Sequence, residues 1–299
     1  MECALHTSLL TMSHAEQGQT RLLSRRAGIG LGAMAAVGVG AGLLQSPGPG
    51  AAPLPEGVEM ADMTWPEVRA ALEAGWRTAI VPSGGIEQNG PHMVLSKHDH
   101  IVRWSAQRIA RELGRTLVAP VISFVPQGNW EPPAGNMAYP GTIGISPAAY
   151  ESLLEGVARS LRSAGFRAIC MIADHGSCQA PQAALAARLG EAWRAEGVRV
   201  LHVASFYTSA AEQEAWLKAR GETEATIGFH AGLADTSELL AVHRAGVDLP
   251  RLEGRRGAAL AAIGASGEPS RASAEIGEAI LPLRVTAAVA EIRSALSRD

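Results

Sequence analysis

Short apolar runs alternate with stretches of helical periodicity from about residue 61 to the end of the chain. Uninterrupted apolar runs bounded by turn residues are typical of strands buried on both faces. Such runs predict four β-strands, at 78–82, 117–125, 167–173 and 198–206. Amphipathic spacing and capping residues predict five helices, at 101–113, 147–165, 180–196, 235–244 and 285–296. Strands separated by helices indicate an α/β fold in three layers, with a mostly parallel sheet flanked by helices.

The N-terminal segment 1–55 has a different character and is interpreted as an export signal followed by a linker. A Ser-Arg-Arg triplet at 24–26 precedes an uncharged run rich in Gly and Ala at 27–44, which is typical of a twin-arginine signal. We therefore expect a periplasmic or secreted protein that has no stable membrane span after signal removal. The folded domain is predicted at 61–299. The alternative is that the uncharged run anchors the chain in a membrane.

Composition narrows the class of protein. The chain has 299 residues, of which 47% are hydrophobic and 18% charged, so it can bury a full core and is not mainly disordered. The net charge is −3 and the body has no basic cluster, which argues against nucleic acid as a partner. Three cysteines are too few for a disulfide scaffold.

Three clusters of polar residues follow predicted strands or lie in loops between elements. They span 87–100, 174–179 and 230–237, and they contain five of the nine histidines together with several carboxylates. Parallel sheets bind ligands at the carboxyl ends of their strands, and imidazole with carboxylate is a ligand set for zinc or manganese. A histidine after a strand can equally be a hydrogen-bonded structural residue. Spacing alone therefore leaves a metal site and a structural cluster both open.

The order of these clusters resembles that of the creatininase family of metal-dependent amidohydrolases. Six motifs carry the resemblance between about Met63 and Ile280: Thr-Trp-Pro-Glu at 64–67, Val-Pro-Ser-Gly-Gly at 81–85, Glu-Gln-Asn-Gly-Pro-His at 87–92, Pro-Gly-Thr at 140–142, Ala-Asp-His-Gly-Ser-Cys at 173–178 and His-Ala-Gly-Leu-Ala-Asp-Thr-Ser at 230–237. The resemblance implies the creatininase-like α/β fold, a hydrolytic metal centre and a homo-oligomer, commonly a hexamer.

Three positions depart from the family pattern, and all three bear on a second metal ion. Members of the family commonly bind two ions that share an aspartate, and the histidine of a Glu-Gln-His-Gly-Pro-His motif binds one of them. Here Asn89 replaces that histidine, and His98 aligns with the shared aspartate. Ser177 stands where the creatinine-hydrolysing members carry a glutamate. These departures from the family pattern therefore predict one ion per chain.

The ligands that remain form a set suited to that single ion. By the resemblance, Glu87, His98 and His175 hold one Zn or Mn ion per chain, since two imidazoles and a carboxylate form a known hydrolytic set. Such an ion lowers the pKa of a bound water toward about 7. Asp99 comes one residue after His98, the position that aligns with the family's shared aspartate. His92 ends the Glu-Gln-Asn-Gly-Pro-His motif at 87–92. Both are further candidates for the metal or for contacts that support its ligands.

Five other residues are expected to act on the substrate. Asp235 is predicted to take the proton of the attacking water or to orient His230. His230 is predicted to protonate the leaving group or to polarise the carbonyl oxygen. Gln88 and Asn89 are candidates for hydrogen bonds to the substrate. Trp130 either forms a wall of the pocket or packs within its own loop.

The sequence thus predicts an exported metal-dependent hydrolase of a cyclic amide, a lactone or a related small cyclic substrate. The departures at Asn89 and Ser177 argue against creatinine itself. The main alternative is a non-catalytic protein that binds small molecules on the same fold. A third hypothesis, a hydrolase with Cys178 as nucleophile and His175 as base, has no supporting motif.

Overall fold

The computed structural model describes residues 54–297, so the predicted signal and most of its linker lie outside the described residues. The described part contains four β-strands: β1 (Thr78–Ser83), β2 (Thr116–Val118), β3 (Ala168–Ala173) and β4 (Arg199–His202). It contains ten α-helices: α1 (Trp65–Glu73), α2 (Lys97–Leu113), α3 (Pro147–Ala164), α4 (Gln179–Trp193), α5 (Ala204–Thr208), α6 (Ala210–Lys218), α7 (Glu224–Ile227), α8 (Leu233–Val242), α9 (Ala258–Ala261) and α10 (Ala274–Leu296). Short 3₁₀ helices lie at Met60–Asp62, Gly135–Ala138, Gly176–Cys178, Arg194–Glu196, Arg244–Gly246, Leu249–Leu252 and Pro269–Arg271.

The four strands form one parallel sheet in the order β2-β1-β3-β4. Thr78 of β1 lies opposite Thr116 of β2 on one side and opposite Ala168 of β3 on the other. Ala168 in turn lies opposite Arg199 of β4. The predicted α/β class is therefore confirmed, and every pair of neighbouring strands in this sheet is parallel.

Helices cover both faces of the sheet because successive side chains of a strand point to opposite sides. Val81 of β1 belongs to a buried cluster with Leu154 of α3 and with side chains of α1 and α4. Its neighbour Ile80 belongs to a second cluster with Val102 of α2 and with side chains of α10. These two clusters are the two interfaces of a three-layer α/β/α domain.

Two strands are shorter than predicted. The predicted strand 117–125 ends at Val118, because Pro120 has no N–H with which to continue the ladder. Pairing resumes briefly where Ile122 lies beside Ser83 as an isolated bridge. The predicted strand 198–206 ends at His202, and the rest of that run forms the start of α5.

The helices also differ from the prediction in places. The last helix was predicted at 285–296 but begins at Ala274, with Ser273 as its N-cap and with Pro282 inside it. Five of the ten helices in the described part were not predicted, namely α1, α5, α6, α7 and α9. α1 starts at a capping box in which the Thr64 N–H donates to Glu67 Oε2 at 2.7 Å. Among the helices of residues 54–297, none combines the length and hydropathy needed to cross a bilayer.

The strand order places a crevice between β1 and β3. The chain leaves β1 through α2 to reach β2 on one side, and it then crosses through α3 to reach β3 on the other side. Loops that leave such adjacent strands toward opposite faces open a cleft at their carboxyl ends, where α/β proteins bind ligands. The first two polar clusters of the sequence follow β1 and β3, so the fold brings them together at this cleft.

Candidate metal centre

The loop after β1 carries Glu87 into the crevice. A side chain on Gly84 would collide with the Asp99 carboxylate, so glycine is required for this close approach. The Gly85 N–H donates to Asp99 Oδ1 at 2.9 Å, and the Glu87 N–H donates to the Leu95 carbonyl at 3.0 Å. These bonds fix the path of the loop and leave Glu87 1% exposed.

Two histidines flank the Glu87 carboxylate. His98 Nε2 lies 2.7 Å from Glu87 Oε1, and His175 Nε2 lies 2.7 Å from Glu87 Oε2. His98 comes from the first turn of α2, and His175 follows β3. One donor atom from each of the three residues lies within 4.8 Å of the others, so their spacing suits a metal ion.

The second ring nitrogen of His98 is held by a carboxylate. His98 Nδ1–H donates to Asp174 Oδ2 at 2.7 Å, which directs Nε2 toward Glu87. Burial and the Lys97 ammonium lower the pKa of His98, but the carboxylates of Glu87 and Asp174 raise it to about 9. An imidazole fixed by a carboxylate in this way has the orientation that metal-binding histidines need.

The second ring nitrogen of His175 is held by a hydroxyl. His175 Nδ1 lies 2.6 Å from Ser177 Oγ, and the Ser177 hydroxyl donates its hydrogen to the Pro126 carbonyl at 2.5 Å. The Ser177 backbone N–H donates to His175 Nδ1 at 3.2 Å, so Nδ1 is an acceptor. The ring hydrogen is then on Nε2, which donates to Glu87 Oε2, and a divalent ion bound by Nε2 would replace that hydrogen.

Glu87 is an ionised carboxylate at the centre of the cluster. Burial raises its pKa, but the charge of His98 and the hydrogen bonds from His175 and His98 outweigh burial and hold the pKa well below its usual range. Asn136 adds a short hydrogen bond from Nδ2 to Glu87 Oε2. A carboxylate with this many donors and two convergent imidazoles is a suitable ligand set for one divalent ion.

The residues around this set do not offer a second group of metal ligands. Asn89 Nδ2 donates to the carbonyls of Glu87 at 2.9 Å and Val94 at 3.3 Å, so it ties the loop to itself. Ser177 is occupied with Pro126, as described above. Within residues 54–297, the triad is the group whose donor atoms converge closely enough for an ion. The donor chemistry therefore fits one ion rather than two.

A buried network of ion pairs lies behind His98. Arg284 of α10 contacts Asp174 Oδ1 at 2.5 Å and Glu238 Oε1 of α8 at 2.9 Å. Gln213 Nε2 of α6 donates to Glu238 Oε1 at 2.6 Å. Burial raises the pKa of Asp174, but Arg284 and His98 lower it to about 2. The network fixes Asp174, and through Asp174 it fixes the His98 ring.

A second buried cation lies next to the triad. The Lys97 side chain is 1% exposed, and its Nζ lies 3.3 Å from Asp235 Oδ1. Burial lowers the pKa of Lys97, but the carboxylates of Asp235 and Glu87 raise it above its ordinary value. Asp235 Oδ2 accepts the Ala231 N–H at 2.8 Å. Asp235 is thus held between a lysine and the backbone that carries His230.

His230 brings a third imidazole close to Glu87. Its Nδ1 lies 3.8 Å from Glu87 Oε1, and its Nε2 lies 2.8 Å from Gln88 Nε2 and 3.0 Å from the Gln88 carbonyl oxygen. The His230 N–H donates to Ser266 Oγ at 3.0 Å. Burial and Lys97 lower the pKa of His230. The side chain is 23% exposed, so it is accessible from the cleft.

Four of the predicted site residues make contacts outside the triad. Asp99 accepts the N–H of the loop after β1, because consecutive helix positions point about 100° apart and Asp99 faces away from His98. His92 is buried with Nε2 3.0 Å from Thr236 Oγ1. Asn89 bonds to backbone, as described above. Trp130 is 53% exposed in the loop between β2 and α3, so its role as a pocket wall stays a prediction.

Sequence reasoning missed five residues of this environment. Gln127 and Asn136 lie in a loop rich in Gly and Pro, where no periodicity marks a position. Lys97 stands beside a predicted ligand but was given no role. Arg284, the partner of the fifth residue Glu238, carried the clearest signal, because it is the one charged residue of the mostly apolar stretch 279–290. Charges in such a position are usually paired when they are buried.

A parallel sheet with two imidazoles and a carboxylate at its switch point defines an α/β protein with a candidate metal centre. Comparison of the sequence with models of protein families identifies the family. The chain belongs to the creatininase family, whose model, described as creatinine amidohydrolase, matches residues 61–292. The resemblance inferred from the six motifs is thereby confirmed.

The curated relatives are hydrolases. A mycofactocin precursor peptide peptidase from Mycolicibacterium smegmatis is 29% identical over 210 residues, which cover 67% of this chain and 78% of the relative. A creatinine amidohydrolase from Pseudomonas putida is 26% identical over 120 residues, covering 40% of this chain and 45% of the relative. A 3-dehydro-scyllo-inosose hydrolase from Thermotoga maritima is 26% identical over 124 residues, covering 41% and 37%. This chain is a creatininase-family hydrolase.

Solved creatininase structures share the fold. A creatininase variant superposes with a TM-score of 0.67 at 25% identity, over 80% of this chain and 99% of that chain. A manganese form of creatininase gives a TM-score of 0.65 at 25% identity over the same shares. A variant described as the zinc-zinc type, 24% identical, has the same fold with a TM-score of 0.65.

Proposed function

We propose that this protein is a metal-dependent hydrolase with one Zn or Mn ion per chain, bound by Glu87, His98 and His175. The observation that carries the proposal is the fixed orientation of both imidazoles. Asp174 engages His98 and Ser177 engages His175 on the far side of each ring, so both Nε2 atoms face the Glu87 carboxylate. Zinc and manganese forms of creatininase support the choice of ions.

The protein groups around the ion divide the work of hydrolysis. A divalent ion at this site supplies Lewis acidity and lowers the pKa of water. His230 is the group placed to transfer a proton, since its Nδ1 faces the Glu87 carboxylate at 3.8 Å and its ring remains accessible. Asp235 is engaged by Lys97 and by the Ala231 N–H, so we assign it to positioning the His230 loop. Gln88 holds the other nitrogen of His230.

The proposed substrate is a cyclic amide, a lactone or a related small cyclic molecule, and not creatinine. Asp235 and Arg284, which contact Lys97 and Asp174 beside the triad, also line a cavity of about 220 Å³, a size that suits a small molecule. The relatives act on different substrates by name, a precursor peptide, creatinine and an inosose. Ser177 supports the exclusion of creatinine, because its hydroxyl is committed to His175 and Pro126.

We further propose that the protein is exported through the twin-arginine route and assembles as a homo-oligomer. The Ser-Arg-Arg triplet at 24–26 and the uncharged run after it support export. Cell fractionation of the full chain and of a variant with Lys-Lys in place of Arg25-Arg26 tests this point, and we expect the variant to stay in the cytoplasm. Light scattering of the purified protein tests the oligomer, for which a hexamer is expected.

Elemental mass spectrometry on protein purified without chelator tests the metal centre. We expect about one zinc or manganese ion per chain and loss of that ion in His98→Ala and His175→Ala. His100→Ala is the matched control: it lies on the same helix but stacks on His243, with ring centroids 3.9 Å apart. It should keep its metal. Chelation should abolish hydrolysis of cyclic amides and lactones in a substrate panel.

Each outcome separates the alternatives. Two ions per chain would contradict the assignment of Asn89 and Ser177 to purely structural contacts. No ion, even after reconstitution with zinc and manganese, would favour the non-catalytic binding protein. Activity that resists chelators but is lost on thiol modification would favour the cysteine hydrolase. That last hypothesis has little structural support, because Cys178 is fully buried and burial raises the pKa of its thiol to about 12.

A further inference from the structure

We propose that the side-chain amide of Gln127 donates a hydrogen bond to the carbonyl oxygen of the substrate. This inference rests on the proposed hydrolytic function and adds a substrate-contacting residue to it. Gln127 lies at the start of the loop between β2 and α3 and is 4% exposed. Neither its position nor its residue type drew attention in the sequence.

The direction of the Gln127 amide follows from its neighbours. The ionised Glu87 carboxylate only accepts hydrogen bonds, so Asn136 must present its Nδ2 to Glu87 Oε2. The second hydrogen of Asn136 Nδ2 then goes to Gln127 Oε1 at 3.2 Å. Asn136 Oδ1 accepts from Gln88 Nε2 at 3.3 Å, which agrees with this orientation. The oxygen of Gln127 therefore faces Asn136, and its Nε2 faces the other way.

This orientation leaves two N–H groups without an acceptor. Gln127 Nε2 is buried and has no hydrogen-bond partner among the described residues 54–297. Buried amide hydrogens are nearly always paired in folded proteins, and an unpaired one calls for an explanation such as a ligand or an ordered water. The amides of Gln88, Asn136 and Gln127 are hydrogen-bonded to one another, which fixes Gln127 Nε2 in place without a partner in the described part of the chain. It is therefore preorganised for a ligand that accepts hydrogen bonds.

The unpaired donor lies beside the triad. A Cβ built on Gly85 would stand 3.0 Å from Gln127 Nε2 and 3.8 Å from His175 Cδ2, so the amide and the imidazole meet over Gly85. Glycine keeps this space open, and any side chain there would press on the Gln127 amide. The donor is thus next to the ring of a proposed metal ligand and not in a remote part of the core.

A carbonyl oxygen is the acceptor that this site would receive. When water adds to an amide or lactone carbonyl, the carbon–oxygen double bond opens and its electron pair moves onto the oxygen. Fixed side-chain amides that donate to that oxygen stabilise the transition state more than the substrate. Gln127 Nε2 is such a donor, and Asn136 holds it in place through Gln127 Oε1. Asn136 is therefore a positioning residue for Gln127.

Binding of acetohydroxamate to the zinc-loaded full chain tests the proposal by calorimetry. Acetohydroxamate carries a carbonyl oxygen and binds zinc ions, so it brings an acceptor next to the triad. Gln127→Met removes the donors at similar length, and Gln127→Glu keeps the acceptor that faces Asn136. We expect both variants to keep one zinc per chain and to bind the probe about tenfold more weakly. Asn129→Asp is the control, an exposed amide of the same loop, and should bind within twofold of the wild type.

The outcomes distinguish this inference from the function on which it rests. Wild-type affinity in both Gln127 variants, with one zinc per chain, would overturn the role of Gln127 and leave the metal centre intact. Weaker binding that follows loss of zinc would also overturn it, since the effect would come from the ligands. Wild-type protein that holds no zinc would contradict the proposed function, and the Gln127 inference with it.

Discussion

Replacing Arg284 by methionine tests whether the buried ion pairs hold the centre and the last helix together. The Arg284 side chain is 8% exposed and contacts Asp174 at 2.5 Å and the two oxygens of Glu238 at 2.9 and 3.1 Å. Methionine is of similar length, but it leaves two carboxylates that are 3% and 0% exposed without this cation. Removal of one partner of a buried ion pair costs about 3–5 kcal/mol of the free energy of unfolding.

The expected cost lies near the lower end, at about 3 kcal/mol, because both carboxylates have a means of reducing their penalty. Asp174 keeps its hydrogen bond from His98 at 2.7 Å. Glu238 takes up a proton, since burial and the carboxylates of Asp174 and Asp235 already raise its pKa to about 7. For a domain of this size, about 3 kcal/mol corresponds to a fall in Tm of about 6–12 °C.

The cost should also depend on pH. The pKa of Glu238 in the folded protein lies above its reference value of 4.5, so its contribution to stability is present below that value and is lost as the pH rises through about 7. Removing Arg284 raises the pKa of Glu238 further. Ionisation of Glu238 above pH 7 therefore lowers the free energy of unfolding of Arg284→Met by more than that of the wild type. We expect a larger fall in Tm at pH 8 than at pH 6.

Circular dichroism melts of metal-free protein at pH 6 and pH 8 measure this effect. Arg293→Met is the matched control, because Arg293 lies on the same helix but is exposed, with one bond to the Glu112 carbonyl at 2.6 Å. The control should change the free energy of unfolding by no more than about 0.5 kcal/mol. A Tm of Arg284→Met equal to that of the control refutes the reasoning about burial. An equal fall at both pH values refutes the role of Glu238.

Three further substitutions, two of them paired with a control variant, have expected outcomes. Ser177→Ala removes the hydroxyl that lies 2.6 Å from His175 Nδ1 and should weaken zinc binding at least tenfold by calorimetry, without loss of fold; unchanged affinity would contradict that role. Gly84→Ala should lower the free energy of unfolding by about 1–3 kcal/mol in urea titrations. Gly156→Ala, a helix position with open space, should raise it by about 0.5–1 kcal/mol. Lys97→Met should lower the free energy of unfolding by about 2 kcal/mol, because its partner Asp235 is partly exposed and water can solvate the carboxylate that is left. The surface control Lys218→Met should lower it by less than about 1 kcal/mol.

The fold was predictable where local pattern decides structure. The strands at Thr78–Ser83 and Ala168–Ala173 are continuous apolar runs, and both appear close to their predicted positions. The prediction of a strand over 117–125 was wrong beyond Val118, because the apolar residues continue past Pro120 but the continuous ladder of hydrogen bonds between the strands does not. Helix α10 was predicted too short, because its first turns follow a cap at Ser273 and include Pro282. The pattern of hydrophobic residues alone shows neither the strand end near Pro120 nor the early start of α10.

The candidate ligands were predicted from the resemblance and not from local pattern. Glu87 and His175 lie in motifs that resemble those of the creatininase family, and His98 aligns with the aspartate that the family's two ions share. Their supporting partners were not predictable in this way. Arg284 reaches Asp174 across 110 residues, and Asn136 reaches Glu87 across 49. Only the packing of α10 and the course of the loop bring those pairs together.

The position of Lys97 gives a physical reason, beyond the missing ligands, for the single ion proposed above. Its ammonium is buried, and the carboxylates of Glu87, Asp174 and Asp235 all raise its pKa. The Lys97 ammonium thus already neutralises part of the negative charge of these carboxylates, which would otherwise attract a second cation. A divalent ion near this ammonium would be repelled by it, and the repulsion grows as the two charges approach. Restoring histidine at Asn89 and glutamate at Ser177 should therefore not suffice for a second ion while Lys97 remains.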